Sequence, residues 1–296
     1  MNQRSRASVA FKAPLAAIGL LVVCANPAVA QPQWGEPVQI TKGIEVSTVQ
    51  FLQDGTLLIA AGDGVHLINP DGTGLRTLFQ HEGARRANMS PDGQMIVLDN
   101  DLDIFVANRD GSGVRPIASD PNLFEFAISF TPDGESITFV TIDDAQGIYG
   151  IWIMSPDGRN KRNLRTETDM AFRHPRQSTD GSKISYFSVG KGVKPQIWVM
   201  DSDGSGSIAL TNPDDDGISR QASWRFDGKR IVYSSRKLGD FDIWSMNADG
   251  GDKRRITRLK GDEAKPVWSP DGNSIAFICA DCRGTVGSDL YIVSRK

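Results

Sequence analysis

The sequence predicts an all-β chain: a six-bladed β-propeller of four-stranded antiparallel blades, closed by an N-terminal strand that completes the last blade. Three observations predict it. Asp-Gly recurs at Asp54-Gly55, Asp92-Gly93, Asp133-Gly134, Asp180-Gly181, Asp227-Gly228 and Asp271-Gly272, at intervals of 38, 41, 47, 47 and 44 residues. Each copy stands between short apolar runs, the strand–turn–strand core of a propeller blade, whose period is about 40–50 residues. The last unit also lacks a strand that the start of the chain can supply.

The turn has a local cause. Where proline is present, as in Ser269-Pro270-Asp271-Gly272, it presets φ; Asp tolerates the next position, and Gly takes the left-handed one without steric cost. The expected geometry is a three-residue hairpin loop with a bulge.

A short alternating strand follows each turn. The fourth residue after the Asp is Leu58, Ile96, Ile137, Ile184, Ile231 or Ile275, and the sixth is Ala60, Leu98, Phe139, Tyr186, Tyr233 or Phe277. Residues two apart share one strand face. A third strand reads Val65–Ile68, Ile104–Val106, Ile151–Met154, Ile197–Met200, Ile243–Met246 and Leu290–Val293. Five of these end in a second Asp-Gly turn and a fourth strand anchored by Leu78, Ile117, Leu164, Leu210 or Ile256. The sixth unit ends after its third strand. Glu36–Thr41 resembles Arg254–Thr257, so the N-terminal segment is expected to fill the gap and remove the open sheet edges. No segment beyond residue 30 sustains helical periodicity.

The 296 residues, 39% hydrophobic, suffice for a core. Residues 1–30 read as a signal peptide: Arg4, Arg6 and Lys12, an apolar run over Leu15–Val23, then Ala28-Val29-Ala30, with cleavage expected after Ala30. A lipoprotein signal ending at Cys24 is disfavoured because Val23 is not small. Residues 31–296 then form the propeller domain, with no further span for a membrane and with 30 Lys+Arg against 36 Asp+Glu, a formal net charge of −6. That balance argues against nucleic acid as a partner. In an exported chain the remaining pair, Cys279 and Cys282, is expected as a disulfide; a redox pair or a metal site is the alternative, and two cysteines without nearby His make a poor zinc site.

Trp268-Ser269-Pro270-Asp271-Gly272 and Asp242-Ile243-Trp244-Ser245-Met246-Asn247-Ala248-Asp249-Gly250 resemble the repeats of the TolB-type six-bladed propeller family, over about residues 36–296. TolB carries an N-terminal α/β domain that this chain is expected to lack. The resemblance implies a non-catalytic binding partner role in the cell envelope, periplasmic or secreted. A peptidoglycan-associated lipoprotein is the implied partner and a monomer the expected state.

The first strand of each blade lines the channel of a propeller. The positions six to eight before each turn Asp hold Arg85, Arg86, Glu125, Arg173, His174, Arg220, Gln221, Glu263 and Lys265, with Arg176 nearby. They are expected in the loop entering the innermost strand, at one mouth. Guanidinium groups there suit carboxylate or phosphate ligands; a channel filled by arginines paired to Glu125 and Glu263 is the plainer alternative. His66 replaces an aromatic residue of the third strand and His81 lies in a loop, so only His174 is aimed at the channel. With three histidines and no Gly-x-Ser-x-Gly elbow, no catalytic residue and no metal centre is assigned. A calcium ion is weighed at Asp201–Gly206 and Asn212–Gly217, where ordinary turns account for most of the acid. The aromatic series Phe51, Met89, Phe130, Trp224, Trp268 reads as blade-to-blade packing, broken by Gln177. The alternative function is a lyase or hydrolase acting on an anionic oligosaccharide in the channel.

Overall fold

A computed structural model of the chain describes residues 33–81, 83–190, 192–282 and 287–296. The signal peptide expected over residues 1–30, with its expected cleavage site near Ala30, lies outside the described residues. Twenty-four strands form six four-stranded antiparallel sheets. The N-terminal strand is β1 (Val38–Gln39). Blade 1 holds β2 (Thr48–Phe51), β3 (Leu57–Ala61), β4 (Gly64–Ile68) and β5 (Arg76–Gln80). Blade 2 holds β6 (Arg86–Met89), β7 (Met95–Asp99), β8 (Ile104–Asn108) and β9 (Arg115–Ala118). Blade 3 runs from β10 (Phe124–Phe130) through β11 (Ile137–Asp143) and β12 (Ile148–Met154) to β13 (Arg162–Glu167). Blade 4 runs from β14 (Met170–Gln177) through β15 (Lys183–Gly190) and β16 (Val193–Asp201) to β17 (Ile208–Ala209). A single four-residue helical turn, α1 (Pro213–Asp216), interrupts the described strands. Blade 5 follows with β18 (Ser219–Trp224), β19 (Arg230–Ser235), β20 (Asp242–Asn247) and β21 (Arg254–Arg255). Blade 6 holds β22 (Asp262–Trp268), β23 (Ser274–Ala280) and β24 (Ser288–Ser294), and β1 pairs with β24 through Val38–Ile292 and Gln39–Tyr291. The closure extends on both sides: Gly35 N donates to Ser294 O at 2.8 Å and Ile40 N to Leu290 O at 2.8 Å.

The inner strands β2, β6, β10, β14, β18 and β22 pack against one another around the ring. Each is an edge strand, with backbone groups that its own sheet leaves unpaired. Side chains of the preceding blade take several of them. Gln50 Oε1 accepts from Met89 N at 2.7 Å, Asn88 Oδ1 from Phe130 N at 2.8 Å, Asp99 Oδ2 from Ala127 N at 3.0 Å and Gln221 Oε1 from Lys265 N at 3.1 Å.

The core is divided by interface, not by blade. Leu58, Leu67, Ala87 and Ile96 belong to one buried cluster shared by blades 1 and 2. Val97, Ile104, Ile137 and Phe139 join blades 2 and 3, and Val140, Ile151, Phe172 and Tyr186 join blades 3 and 4. Ile197, Leu210, Trp224 and Tyr233 join blades 4 and 5, and Val232, Ile243, Trp268 and Phe277 join blades 5 and 6. Ile59, Ile68, Ala276 and Leu290 close the circle between blades 6 and 1. Every residue expected on the buried face of the second strand is buried, from Leu58 and Ile96 to Phe277. Cys279 and Cys282 are bonded to each other, with Cα atoms 5.7 Å apart, and both sit in the blade 5–6 cluster.

The first turn departs from expectation in five blades. Only blade 1 has the three-residue loop, closed by Leu52 N on Thr56 O. Elsewhere four residues intervene, as between Ser90 N and Met95 O. In four of these five loops the Asp shares a network with a hydroxyl two residues before it. Asp92 Oδ1 accepts from Ser90 Oγ at 2.5 Å and from Gln94 N at 3.0 Å, while Ser90 Oγ accepts from Met95 N at 2.9 Å. Asp133, Asp180 and Asp271 repeat the arrangement with Thr131, Ser178 and Ser269, so the extra residue is held by an Asx turn. The glycines keep their expected left-handed backbone, with φ from 67° at Gly228 to 84° at Gly55.

Two expectations follow. Deleting residues 33–42 should expose the β24 edge and abolish cooperative thermal unfolding by circular dichroism; a sharp, unshifted transition would contradict ring closure. Glu263 is fully buried beside blade 5, where it accepts from Ile243 N at 3.1 Å, Leu259 N at 3.0 Å and the Thr257 hydroxyl. Glu263→Ala should cost about 1–3 kcal/mol in urea unfolding, because Leu259 N and the Thr257 hydroxyl lose their acceptor while Ile243 N keeps Thr257 Oγ1 at 2.9 Å.

Candidate channel site

The channel is built by a shared irregularity. Ala127, His174, Gln221 and Lys265 have φ of 60°, 51°, 60° and 52°. They mark bulges in β10, β14, β18 and β22, where the pairing register shifts between Phe126/Ser129, Arg173/Arg176, Arg220/Ser223 and Ala264/Val267. Non-glycine residues in this region carry strain, and such bulges re-aim side chains next to functional sites. The candidate residues therefore do not lie in entering loops, as the sequence spacing suggested. From Arg86 onward they lie within the inner strands, and in β10, β14, β18 and β22 the bulge residue lengthens the strand upstream of its turn.

Arg86 is the hinge of the electrostatics. Its Nη1 donates to Asp99 Oδ1 at 2.9 Å and Asp101 Oδ1 at 2.6 Å, and its guanidinium lies 5.3 Å from the centre of the Phe126 ring. Arg173 approaches the same ring at 5.2 Å and donates to its neighbour's carbonyl, Phe172 O, at 2.8 Å. Arg85 is exposed and reaches Asp101 Oδ2 at 3.3 Å. Arg220 stacks on Phe241 at 3.8 Å. Arg176 donates to Ser129 Oγ at 2.7 Å, and Lys265 donates to the Ser47 carbonyl. Burial, aided by Arg86, pulls Arg176 down to about 10, and Lys265 falls to about 8 for the same two reasons. His174, stacked on Phe187 at 5.7 Å, is held well below the usual imidazole range by burial and then by Arg86, Lys265, Arg176 and Arg173. Positive charge is thus concentrated inside the channel, at Arg86, Arg176 and Lys265 around the neutral His174. The mouth itself is mixed: Glu45, Ser47, Arg85, Asp262 and Lys265 are among the residues around a cavity of about 500 Å³, and Asp262 pairs with Arg236 at 2.7 Å.

Two candidates leave the site. Glu125 is buried against blade 3, with Asp120 N at 3.1 Å and Lys161 Nζ at 3.1 Å. Glu263 is engaged by blade 5 as described above. Neither carboxylate pairs with the channel arginines, because alternation along the strand turns them outward from their neighbours. Arg85, Arg86, Arg173, His174, Arg176, Arg220, Gln221 and Lys265 remain on the channel strands or at their entry. Asp99 and Asp101, which hold Arg86, were not singled out in the sequence; they fall at the end of the second strand, outside the repeat positions used to find the channel.

The opposite mouth, of about 590 Å³, is ringed by the first turns and lined by Phe51, Met89, Phe130, Trp224, Phe226 and Trp268. The aromatic series therefore packs blades and forms this cup. Phe226 stands 49% exposed on its rim, in a turn position where proline occurs in other blades. Gln177 donates to Gly181 O at 2.8 Å, closing its own turn. His66 is buried and bonds Asp63 and Thr77, whereas His81, partly buried, packs on Phe105. Of the residues weighed for calcium, Asp203 accepts from Ser205 N at 2.8 Å, and Asp216 pairs with Lys253 at 2.7 Å. Among the described residues no group of three or more His, Cys, Asp or Glu is placed to hold a metal ion, and no helix is long and apolar enough to cross a membrane.

Comparisons with known proteins agree with this architecture. An uncharacterised protein of Agrobacterium fabrum is 25% identical over 70% of this chain and 72% of its own length. A Tol-Pal system protein TolB of Francisella tularensis is 33% identical over 32% of this chain, but only 22% of that protein is spanned. Among solved structures, a protein assigned as TolB from Agrobacterium tumefaciens superposes with a TM-score of 0.65 at 20% identity, covering 85% of this chain and 90% of that one. An oligogalacturonate lyase from Vibrio parahaemolyticus shares the scaffold at a TM-score of 0.57 and 14% identity, over 87% and 93% of the two chains. The profile described as the TolB beta propeller domain matches residues 138–293, more than half of the chain, and the protein belongs to that family.

Proposed function

We propose that this propeller is an exported, non-catalytic binding module of the cell envelope, holding an anionic or carbonyl group of a partner protein at the basic end of its channel. One observation carries the reading: Arg86, Arg173, Arg176 and Lys265 converge on the channel, yet only Arg86 has a carboxylate partner among the described residues. Buried cations need such a partner, and arginine offers carboxylates a paired set of donors. The Francisella relative is named as a component of the Tol-Pal system. Together with the signal read in residues 1–30, that supports the periplasm as the location and a peptidoglycan-associated lipoprotein as the partner.

The alternative, a lyase or hydrolase acting on an anionic oligosaccharide, would use His174. Its depressed pKa makes it a weak base at neutral pH, and the groups that shift it are cations, with no carboxylate to orient or activate it. The open mouths and the exposed Phe226 fit a binding surface better than a closed reaction pocket.

Arg173→Ala combined with Arg220→Ala should abolish capture of the partner from envelope extracts, identified by mass spectrometry. The loss of two cation–π contacts should cost only about 1–2 kcal/mol of stability, and undiminished capture would reject this site. A pH series gives a second check. The unfolded chain takes up a proton on His174 below about pH 6.5 that the folded chain resists. Stability should therefore fall as pH drops through that range, and His174→Asn, which suits the left-handed backbone, should flatten the slope. An unchanged slope in urea unfolding at pH 5.5 and 7.5 would show that His174 is not held neutral.

A further inference from the structure

At mid-channel, between the two mouths, lies a chamber of about 20 Å³ whose polar lining comes chiefly from Thr48, His174, Arg176, Gln221 and Lys265. These groups present donors. Among the described residues the Arg176 side chain engages only Ser129 Oγ, and the Lys265 ammonium only the Ser47 carbonyl. Gln221 Oε1 accepts from Lys265 N at 3.1 Å, which leaves its NH₂ group to the chamber. Thr48 Oγ1 accepts from Ala87 N at 3.3 Å, so its O–H remains to donate. The His174 ring stacks on Phe187 and bonds no described residue. No carboxylate lines the chamber. The nearby acids are engaged elsewhere, Asp99 by Arg86 and Ala127 N, and Asp101 by Arg85 and Arg86.

Two cations and three neutral groups able to donate thus face a space with no carboxylate among the described residues. Like charges gathered in a partly buried space are costly unless a counter-charge joins them. The size of the space limits what can join. A single water requires about 10–15 Å³ of such volume, so the chamber suits a monatomic anion better than a tetrahedral oxyanion or a peptide carboxylate with its chain.

We propose that the chamber is a halide site, in which chloride is held by Arg176, Lys265 and the Gln221 amide. The site shares the reading of the channel as anion-receptive, on which the proposed function also rests. It differs in ligand and in place, since a partner would engage Arg173 and Arg220 nearer the mouth. A resident ion would neutralise the inner cations, so that the ring need not wait for its partner to be stable.

The test is thermal unfolding of the full chain in sodium chloride, sodium gluconate and sodium sulfate at equal ionic strength. Chloride should raise the Tm saturably, by roughly 5 °C at a hundredfold excess over Kd, and sulfate should add nothing over gluconate. His174→Asp supplies an internal carboxylate on a backbone that Asp tolerates. It should raise the Tm in gluconate and erase the chloride increment, while Lys194→Met on the exposed surface retains it. Equal Tm values in chloride and gluconate, an equal gain from sulfate, or a full chloride increment in His174→Asp would each overturn the proposal. If His174→Asp does not fold, chloride-35 line broadening decides: the unaltered protein should broaden the line and Lys265→Met should not, and no broadening by the unaltered protein rejects the site. Partner capture measured in gluconate separates the two readings, because an empty chamber leaves the Arg173–Arg220 mouth intact.

Discussion

No blade of this protein can bury its own faces, and that constraint organises everything else. A four-stranded sheet has two faces, and here each is covered only by the blade beside it. The buried clusters show this directly: all six draw on two adjacent blades. Hydrophobic burial is roughly proportional to the area removed from water, so a missing neighbour would forfeit half of a blade's burial. The ring must be complete before any part of it is well packed.

Closure at the rim creates the opposite condition at the centre. The inner strands converge, and their free edges face a narrow channel. Amides there are taken by side chains from the preceding blade, Gln50, Asn88, Asp99 and Gln221 among them. Long polar side chains are thus required by the architecture, and the bulges at Ala127, His174, Gln221 and Lys265 add a left-handed residue at the same level of four strands. Arginine and lysine on those strands are pressed into a space with few acids. The resulting surplus of donors is a consequence of geometry acting on sequence.

The fold was legible in the sequence because its signals are local and repeated. Turn glycines, strand alternation and the match between Glu36–Thr41 and Arg254–Thr257 each depend on neighbours close in the chain. The channel candidates were legible by position, since counting back from each turn Asp reaches the inner strand. Their surroundings were not. Glu125 and Glu263 share a spacing but face away from the channel, because strand alternation reverses direction over one residue and the bulge shifts the count. Asp99 and Asp101 hold Arg86 from the far end of another strand, a contact that no spacing rule encodes. The fourth loop residue was missed for a related reason: the Ser90 hydroxyl bonds both Asp92 and Met95 N across the loop, a side-chain contact that backbone preference alone does not reveal.

The seam between β1 and β24 pairs residues some 250 positions apart. Closing so large a loop is entropically costly, and contacts of this range form late. A chain made from its N-terminus must therefore hold Val38 and Gln39 unengaged while five blades take shape, and β24 offers its outer edge to any other strand until they arrive. Assembly order, more than final stability, is where this architecture is exposed to error, and the two-residue length of β1 keeps the waiting segment too short to pair firmly with anything else.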